Sequence, residues 1–102
     1  MEHDIQNRIR AALAAECVIF RANVGRMETP DGRWFSTGLP VGFSDLFGFR
    51  KSDGRAVFIE VKTAHGRASQ KQKHFLETVR KYGAIAGIAR SPEEAIKLIQ
   101  EG

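Results

Sequence analysis

The hydrophobic positions of the chain follow two different periods, and the changes of period mark the predicted elements. Near the start, apolar residues recur at the spacing of one helix face, which predicts an amphipathic helix over residues 4–16. Residues 17–22 are apolar and partly β-branched, which predicts a first strand. Two further apolar runs, residues 46–49 and 56–61, flank a polar turn containing Asp53-Gly54, and this arrangement predicts a β-hairpin.

The second half of the chain predicts a helix, a strand and another helix. The first of these helices begins at Ser69 and stops at Gly83, with an expected buried stripe of Phe75, Leu76, Val79 and Tyr82. Residues 84–89 predict a strand, and Ser91-Pro92-x-Glu94 is typical of a helix start, with Ile96 and Ile99 expected to face inward. The order is therefore αβββαβα. A hairpin followed by a β-α-β crossover predicts an α/β fold, in which helices flank a mixed central sheet.

The segment Gly25–Gly42 is rich in glycine and proline and does not predict one structure. It could be a substrate loop, a dimer contact or a packed hairpin. Trp34 and Phe35, which lie within it, are expected in the core rather than as platforms for stacking bases.

The predicted hairpin brings three charged residues together. Its turn pairs Asp45 with Glu60 across the two strands, so that their side chains start within ~5 Å of each other. Side chains alternate between the faces of a strand, and Lys62 therefore lies on the same face as Glu60. We expect Asp45, Glu60 and Lys62 to form one site.

Two facing carboxylates repel each other unless a cation lies between them, and this pattern predicts a divalent metal site. Mg²⁺ and Mn²⁺ prefer oxygen ligands, which Asp45, Glu60 and a strand carbonyl, that of Val61, would supply. Such a metal suits phosphodiester hydrolysis, in which Lys62 would orient water or stabilise negative charge. The alternative is an exposed ion pair between Glu60 and Lys62 in an ordinary hairpin. The apolar run around Glu60 favours the functional interpretation, because a buried charge is costly unless paired or metal-bound.

Asp45 followed by Glu60-x-Lys62 resembles the signature of PD-(D/E)xK nucleases, although Ser44 replaces the usual proline. A wider pattern is similar to a stand-alone VRR-NUC domain over essentially the whole chain. Its parts are Glu2-x-x-Ile5-Gln6, Phe20-x-x-Asn23-x-Gly25, Gly38-x-Pro40-x-Gly42-x-x-Asp45-Leu46, Glu60-Val61-Lys62, Ser69-x-x-Gln72-x-x-Phe75 and Gly83-Ala84-x-x-Gly87-x-Ala89-x-Ser91. The resemblance implies a restriction-endonuclease-like core in a single domain over residues 1–102.

The resemblance also implies a function and roles for five residues. Small stand-alone members are similar to Holliday-junction resolvases, which implies a homodimeric, metal-dependent endonuclease acting on branched DNA. By position, Asp45 and Glu60 would be metal ligands, Lys62 the catalytic lysine, Gln72 a supporting polar residue and Glu2 an acidic contribution from the first helix. Each of the last two has an alternative role. Gln72 completes a helix capping box with Ser69, and an acid such as Glu2 favours a helix start through the helix dipole.

The chain has 102 residues and a net charge of +4, which fits a polyanionic partner such as DNA. The candidate phosphate contacts are Arg50, Lys51, Arg67, Lys71 and Lys73, with His65 and His74 nearby. They would give a salt-sensitive, largely sequence-independent affinity. The alternative for any one of them is a solvated surface.

Other features narrow the possible functions. No apolar run approaches the ~20 residues needed to cross a bilayer, and the charged N-terminus predicts a cytoplasmic protein. The resemblance to small stand-alone viral and bacterial members implies a bacterial or phage-infected cell. The single cysteine, Cys17, is expected to be a buried small hydrophobe, and the histidine spacing does not indicate zinc. Two alternatives to a nuclease remain. They are a non-catalytic nucleic-acid-binding module with a nuclease-like fold, and a small interaction protein whose contacts are made by the segment around Trp34.

Overall fold

Three helices and six short strands make up the structure, a computed structural model that describes residues 2–23, 26–36 and 38–102. The elements in chain order are α1 (Glu2–Leu13), β1 (Cys17–Arg21), β2 (Arg26–Glu28), β3 (Trp34–Ser36), β4 (Leu46–Arg50), β5 (Ala56–Val61), α2 (Gln70–Lys81), β6 (Ile85–Ala89) and α3 (Pro92–Glu101). None of the helices within these ranges is both long and apolar enough to cross a membrane.

Four strands form the central sheet in the order β1-β4-β5-β6. The β1–β4 and β4–β5 pairs are antiparallel, and β6 runs parallel to β5 after the crossover through α2. This mixed sheet confirms the predicted αβββαβα core. Strands β2 and β3, which lie between β1 and β4 along the chain, form a separate antiparallel pair outside the central sheet. The segment Gly25–Gly42 therefore contains a hairpin.

The register of the β4–β5 hairpin is the predicted one. Leu46 pairs with Ile59 and Phe47 with Phe58, and one step further along the same ladder Asp45 comes opposite Glu60. The turn depends on Gly54, whose φ of +71° is in the left-handed region that favours glycine. The hairpin therefore places both carboxylates at the end of the sheet remote from its turn.

The two faces of the sheet differ in composition. Helices α1 and α3 cover one face and enclose an aliphatic core, whose side chains are less than 2 % exposed and include Ile9, Leu13, Leu46, Val57, Ile59, Val61 and Ile99. Each such side chain contributes roughly 1.5–3 kcal/mol through burial. Cys17 is also buried in this core, as expected, and burial raises the pKa of its thiol.

Helix α2 packs on the opposite face, where the contacts are aromatic. Phe43, Phe47, Phe58 and Phe75 form an edge-to-face and tilted cluster, with ring centroids 4.8–5.9 Å apart. Glu60 and Lys62 follow Phe58 on this face at alternate positions of β5 and its continuation. The α2 side of the sheet therefore carries the candidate site.

Three expectations from the sequence are wrong in detail. Helix α1 begins at Glu2 and ends at Leu13, and residues 14–16 form a tight turn that returns the chain to β1. Tyr82 is 81 % exposed rather than part of the buried stripe, because it lies beyond the last residue of α2 as its C-cap. Trp34 is 60 % exposed on the β2–β3 hairpin rather than in the core, whereas the side chain of Phe35 lies outside what the structure describes.

Candidate functional site

Asp45 stands immediately before β4 and is held by the segments around it. The hydroxyl of Ser44, a residue only 1 % exposed, donates to the Leu46 carbonyl at 2.8 Å and fixes the backbone at the entry to the strand. The Asp45 carbonyl accepts the N–H of Ala22, just beyond β1, at 2.9 Å. Its carboxylate points the other way, where Oδ2 accepts the N–H of Val61 at 2.9 Å. Asp45 is therefore anchored between β1 and β5.

Glu60 is the buried centre of the site, with a side chain that is 1 % exposed. Its Oε1 accepts the backbone N–H of Asp45 at 3.3 Å. Its Oε2 accepts a hydrogen bond from Gln72 Nε2 at 2.7 Å and lies 3.1 Å from the Lys62 ammonium. The structure therefore brings together four of the five residues that the sequence nominated for catalysis: Asp45, Glu60, Lys62 and Gln72.

The electrostatics of this cluster follow from burial and charge. Removal from water, together with the nearby charge of Asp45, raises the pKa of Glu60 from 4.5 to about 7, although the Lys62 ammonium opposes the shift. Near neutral pH, the Glu60 carboxyl is therefore only partly ionised, and a cation bound beside it would favour its charged form.

The ligand atoms available at the site are oxygens. Within the described ranges, no group of three or more His, Cys, Asp and Glu side chains could hold a metal ion, and the carboxylates Asp45 and Glu60 stand as a pair. Oδ2 of Asp45 is used by Val61, whereas its Oδ1 makes no hydrogen bond with any described residue. Carboxylate and carbonyl oxygens with open positions for water and phosphate are the donor set that hard divalent cations prefer.

Gln72 performs two structural tasks with the two ends of its amide. Its Oε1 accepts the backbone N–H of Ser69 at 2.8 Å, and the Ser69 hydroxyl accepts the Gln72 N–H at 3.1 Å, which completes the capping box of α2. Its Nε2 donates to Glu60. The two interpretations of Gln72 from the sequence, helix cap and support for the site, are therefore both present in the geometry.

Glu2 begins α1 and is half-buried. Its neighbour His3 is hydrogen-bonded to Arg21, which pairs with Leu46, so that the start of α1 lies at the same end of the sheet as Asp45. No hydrogen bond or ion pair joins Glu2 to either carboxylate in the part of the chain that the structure describes. A contribution from Glu2 to the site stays a prediction.

The five candidate DNA contacts separate into two groups. Arg50 and Lys51 lie at the hairpin turn, roughly 17 Å along the strand from the carboxylates at ~3.4 Å per residue. Arg50 pairs with Asp53 at 2.6 Å and donates to the Ile99 carbonyl, and Lys51 donates to the carbonyl of Ala14. These two side chains hold the fold together at the end remote from the candidate site.

Arg67, Lys71 and Lys73 form the second group and lie close to the site. Arg67 is in the loop after β5, Lys71 and Lys73 are in the first turn of α2, and all three are exposed. The same turn of α2 contains Gln72, which contacts Glu60. These three of the five candidates therefore lie at the carboxylate end of the sheet.

Arg90 belongs to the surroundings of the site, although no sequence motif singles it out. It directly follows β6, whose parallel pairing with β5 places it beside Lys62. Its position could have been found only by combining the predicted crossover with the register of two distant strands.

Comparisons with known proteins identify the family and the fold of the chain. The family model described as "VRR-NUC domain" matches residues 6–93. A solved structure described as "VRR_NUC domain" is 24 % identical and superposes with a TM-score of 0.66, over 97 % of this chain and 94 % of that one, which shows a shared fold. The comparison with curated proteins found no match. Since the family model covers most of the chain, the protein belongs to the VRR-NUC domain family, a family of nuclease-type domains.

Proposed function

We propose that this protein is a divalent-metal-dependent DNA endonuclease of the PD-(D/E)xK type. The observation that carries the proposal is the convergence of Asp45, Lys62 and Gln72 on the buried Glu60. In an ordinary hairpin, such charges would be exposed to solvent, where they cost little. A buried acid next to a second carboxylate persists when function requires both.

Asp45 and Glu60 would hold the metal, Mg²⁺ or Mn²⁺, with the Val61 carbonyl as a third protein ligand. When bound, such an ion lowers the pKa of a coordinated water and neutralises charge on the scissile phosphate. Oδ1 of Asp45, which accepts no hydrogen bond from any described residue, and the oxygen-only donor set fit this kind of ion. Two carboxylates suffice because these cations keep several waters and take substrate oxygens as ligands.

Lys62 and Gln72 supply the remaining polar groups. The Lys62 side chain is 14 % exposed and can turn its remaining N–H donors toward a water or a phosphate oxygen. It would orient the attacking water or stabilise the negative charge that develops on the phosphate. Gln72 fixes the carboxylate of Glu60 and acts as a positioning residue.

The proposed substrate is branched DNA, cut by a homodimer. One chain offers one pair of catalytic carboxylates in its described part, and symmetric cuts in two strands require two sites, which a two-fold dimer would provide. Arg67, Lys71 and Lys73 would contact phosphates on either side of the cut. The proposed location of this activity is the cytoplasm of a bacterial or phage-infected cell.

Cleavage assays test the proposal directly. Labelled four-way junction, flap, duplex and single-stranded DNA would be incubated with Mg²⁺, Mn²⁺ or EDTA, with wild type compared with Asp45→Ala, Glu60→Ala and Lys62→Ala. We expect metal-dependent cutting by the wild type and a loss on the order of 100-fold or more in each variant, because a charge-stabilising group is removed. Lys97→Ala is the matched control, since its side chain is 73 % exposed on α3.

The outcomes separate the alternatives. Paired symmetric cuts in the junction would support a resolvase-like dimer. Salt-dependent DNA binding without metal-dependent cutting would favour the non-catalytic binding module, and the absence of any nucleic-acid affinity would favour an interaction protein. A folded Glu60→Ala variant with full activity would contradict the proposed site.

Metal binding has a readout that is independent of cleavage. Adding Mn²⁺ to the wild type should raise its Tm by several degrees, because a ligand present at 100 times its Kd stabilises by about 2.7 kcal/mol. Asp45→Asn removes a charged ligand and should abolish most of the shift. Thermal denaturation monitored by circular dichroism with and without Mn²⁺ would measure both, and equal shifts in the two proteins would exclude Asp45 as a ligand.

A further inference from the structure

A second concave site opens beside the carboxylate cluster, in a cavity of about 420 Å³ formed by the loop after β5. We call it the loop pocket, and its lining includes His65, Gly66, Arg67, Lys73, Ile88 and Arg90. Three of these residues are arginine or lysine, and the lining contains neither Asp nor Glu. A site of this composition selects anions.

Arg90 gives the loop pocket a fixed donor. It is half-buried, and its Nη1 donates to the carbonyls of Thr63 and Gly66, both at 2.6 Å. Its backbone N–H donates to Glu94 Oε1 at 2.7 Å, so that main chain and side chain are both held. Nε and Nη2 make no hydrogen bond with any other residue that the structure describes. A preorganised guanidinium with donors to spare suits the planar recognition of a phosphate.

The strand register places the loop pocket next to the proposed catalytic cluster. Val61 pairs with Ala89, and the Lys62 N–H donates to the Ala89 carbonyl at 3.2 Å, so that Arg90 lies beside Lys62 on the neighbouring strand. Neighbouring strands are about 4.8 Å apart. Ile88, which pairs with Glu60, lines the pocket on the same face of the sheet. The pocket is therefore one strand away from the Glu60–Lys62 ion pair.

We propose that the loop pocket binds one backbone phosphate of the DNA strand that is being cut, through Arg90, Lys73 and Arg67. This inference rests on the proposed nuclease function. Consecutive phosphates of one strand advance about 3.4 Å along the helix axis, which places the bound phosphate within about two nucleotides of the scissile one. Binding of that phosphate would fix which phosphodiester bond faces Lys62. A diffuse basic surface would not select one bond in this way.

The first test measures binding alone, in EDTA. The affinity for a fluorescein-labelled four-way junction would be followed by anisotropy across a salt series for wild type, Arg90→Gln and Lys73→Gln. We expect each variant to bind about tenfold more weakly and the slope of log K against log salt to fall by up to about 0.9, the value for complete loss of one phosphate contact. Arg8→Gln is the matched control, because it removes one exposed charge from α1 on the other side of the sheet.

Lys73→Gln is expected to fold even if Arg90→Gln does not, because Lys73 is exposed and its side chain makes no hydrogen bond in the described part of the structure. Circular dichroism would establish that Arg90→Gln is folded. Wild-type affinity and slope in both variants would overturn the proposal, as would an equal loss in Arg8→Gln.

The second test locates the phosphate. Substrates would carry a neutral methylphosphonate at one linkage at a time around the cut, with Mg²⁺ present and single-turnover cleavage measured. One linkage should slow the wild type about tenfold and slow Arg90→Gln much less, because part of the contact to that phosphate is already lost in the variant. Equal effects at every linkage, additive with Arg90→Gln, would overturn the proposal. DNA binding that depends on Arg90, without any cleavage, would support the phosphate site in the pocket and contradict the nuclease function. Equal cleavage by wild type and Arg90→Gln would contradict the phosphate site alone.

Discussion

Glu60 is an ionisable side chain in a deeply buried position. Three donors surround it, namely the Asp45 backbone, the Gln72 amide and the Lys62 ammonium. These contacts keep the carboxylate oriented, but they do not fully repay its removal from water, and its pKa therefore rises to about 7. Removing one of these partners would leave a buried group without compensation, which commonly costs about 1–3 kcal/mol.

The raised pKa of Glu60 predicts how stability depends on pH in EDTA. The unfolded chain releases this proton near pH 4.5, whereas the folded protein keeps it until about pH 7, so stability that is fully present below pH 4.5 is lost as the pH rises through 7. The difference in unfolding free energy between wild type and Glu60→Gln should therefore fall by up to about 3 kcal/mol between pH 5 and 8. Urea denaturation at each pH would measure it.

Asp53 provides the control for this pH dependence. Its hydrogen bond with Arg50 lowers its pKa from 3.8 to about 2, so its contribution is complete above pH 3.8 and is lost only as the pH falls through 2. Asp53→Asn should differ from wild type by a constant amount between pH 5 and 8. If the Glu60→Gln difference were equally constant, the raised pKa would be disproved.

The site residues differ in how far sequence could place them. Asp45, Glu60 and Lys62 could be brought together because a hairpin register depends only on a local turn and on alternation along a strand. The contact between Gln72 and Glu60 depends on where α2 packs, which its own pattern does not fix. The position of Arg90 beside Lys62 depends on the parallel pairing of β5 and β6, and these two strands are separated in the sequence by a whole helix.

At the scale of elements, the start of α2 is part of the site. Ser69→Ala removes the N-cap and should cost about 1 kcal/mol of stability. It also releases the capping box that orients Gln72 toward Glu60, and we therefore expect cleavage to fall severalfold. Ser69→Thr is the matched control, because its hydroxyl can still accept the Gln72 N–H and cap the helix. Denaturation and cleavage assays should show losses of stability and activity for Ser69→Ala and neither loss for Ser69→Thr; a stability loss without an activity loss in Ser69→Ala would refute the coupling.

Element boundaries were harder to predict than the elements themselves. Tyr82 continues the apolar spacing of α2, but the helix ends one residue earlier, and spacing alone cannot show where the backbone leaves the helix. Strands β2 and β3 have three residues each, too few for a periodic pattern to stand out from the surrounding glycines and prolines. The longer strands of the central sheet carried a clear signal.

At the scale of the whole molecule, the sheet separates stability from chemistry. The aliphatic core lies between the sheet and helices α1 and α3, whereas α2 and the charged cluster occupy the other face. The pairing of β1 with β4 connects the stable core with the candidate site, because the N–H of Ala22, just beyond β1, donates to the Asp45 carbonyl. Damage to this pairing should therefore affect both stability and activity.

Gly48→Ala tests that connection. A Cβ at Gly48 would overlap the Val18 carbonyl on β1 and force the two strands apart, and we expect a loss of several kcal/mol together with reduced cleavage. Gly87→Ala is the control, because its Cβ would meet only the flexible end of the Leu98 side chain, and its cost should be smaller. Urea denaturation and cleavage below the Tm would compare them, and equal stability in both variants would refute the close approach.

Burial of Cys17 makes the protein convenient to label. It is the single cysteine of the sequence and is 2 % exposed, so a maleimide dye should not react with it in the folded state. Ser52 is exposed in the hairpin turn, at the end of the sheet remote from Asp45 and Glu60. A Ser52→Cys variant should therefore take up one fluorophore without prior removal of the native thiol. The dye would report DNA binding by energy transfer while leaving the carboxylates and the loop pocket untouched.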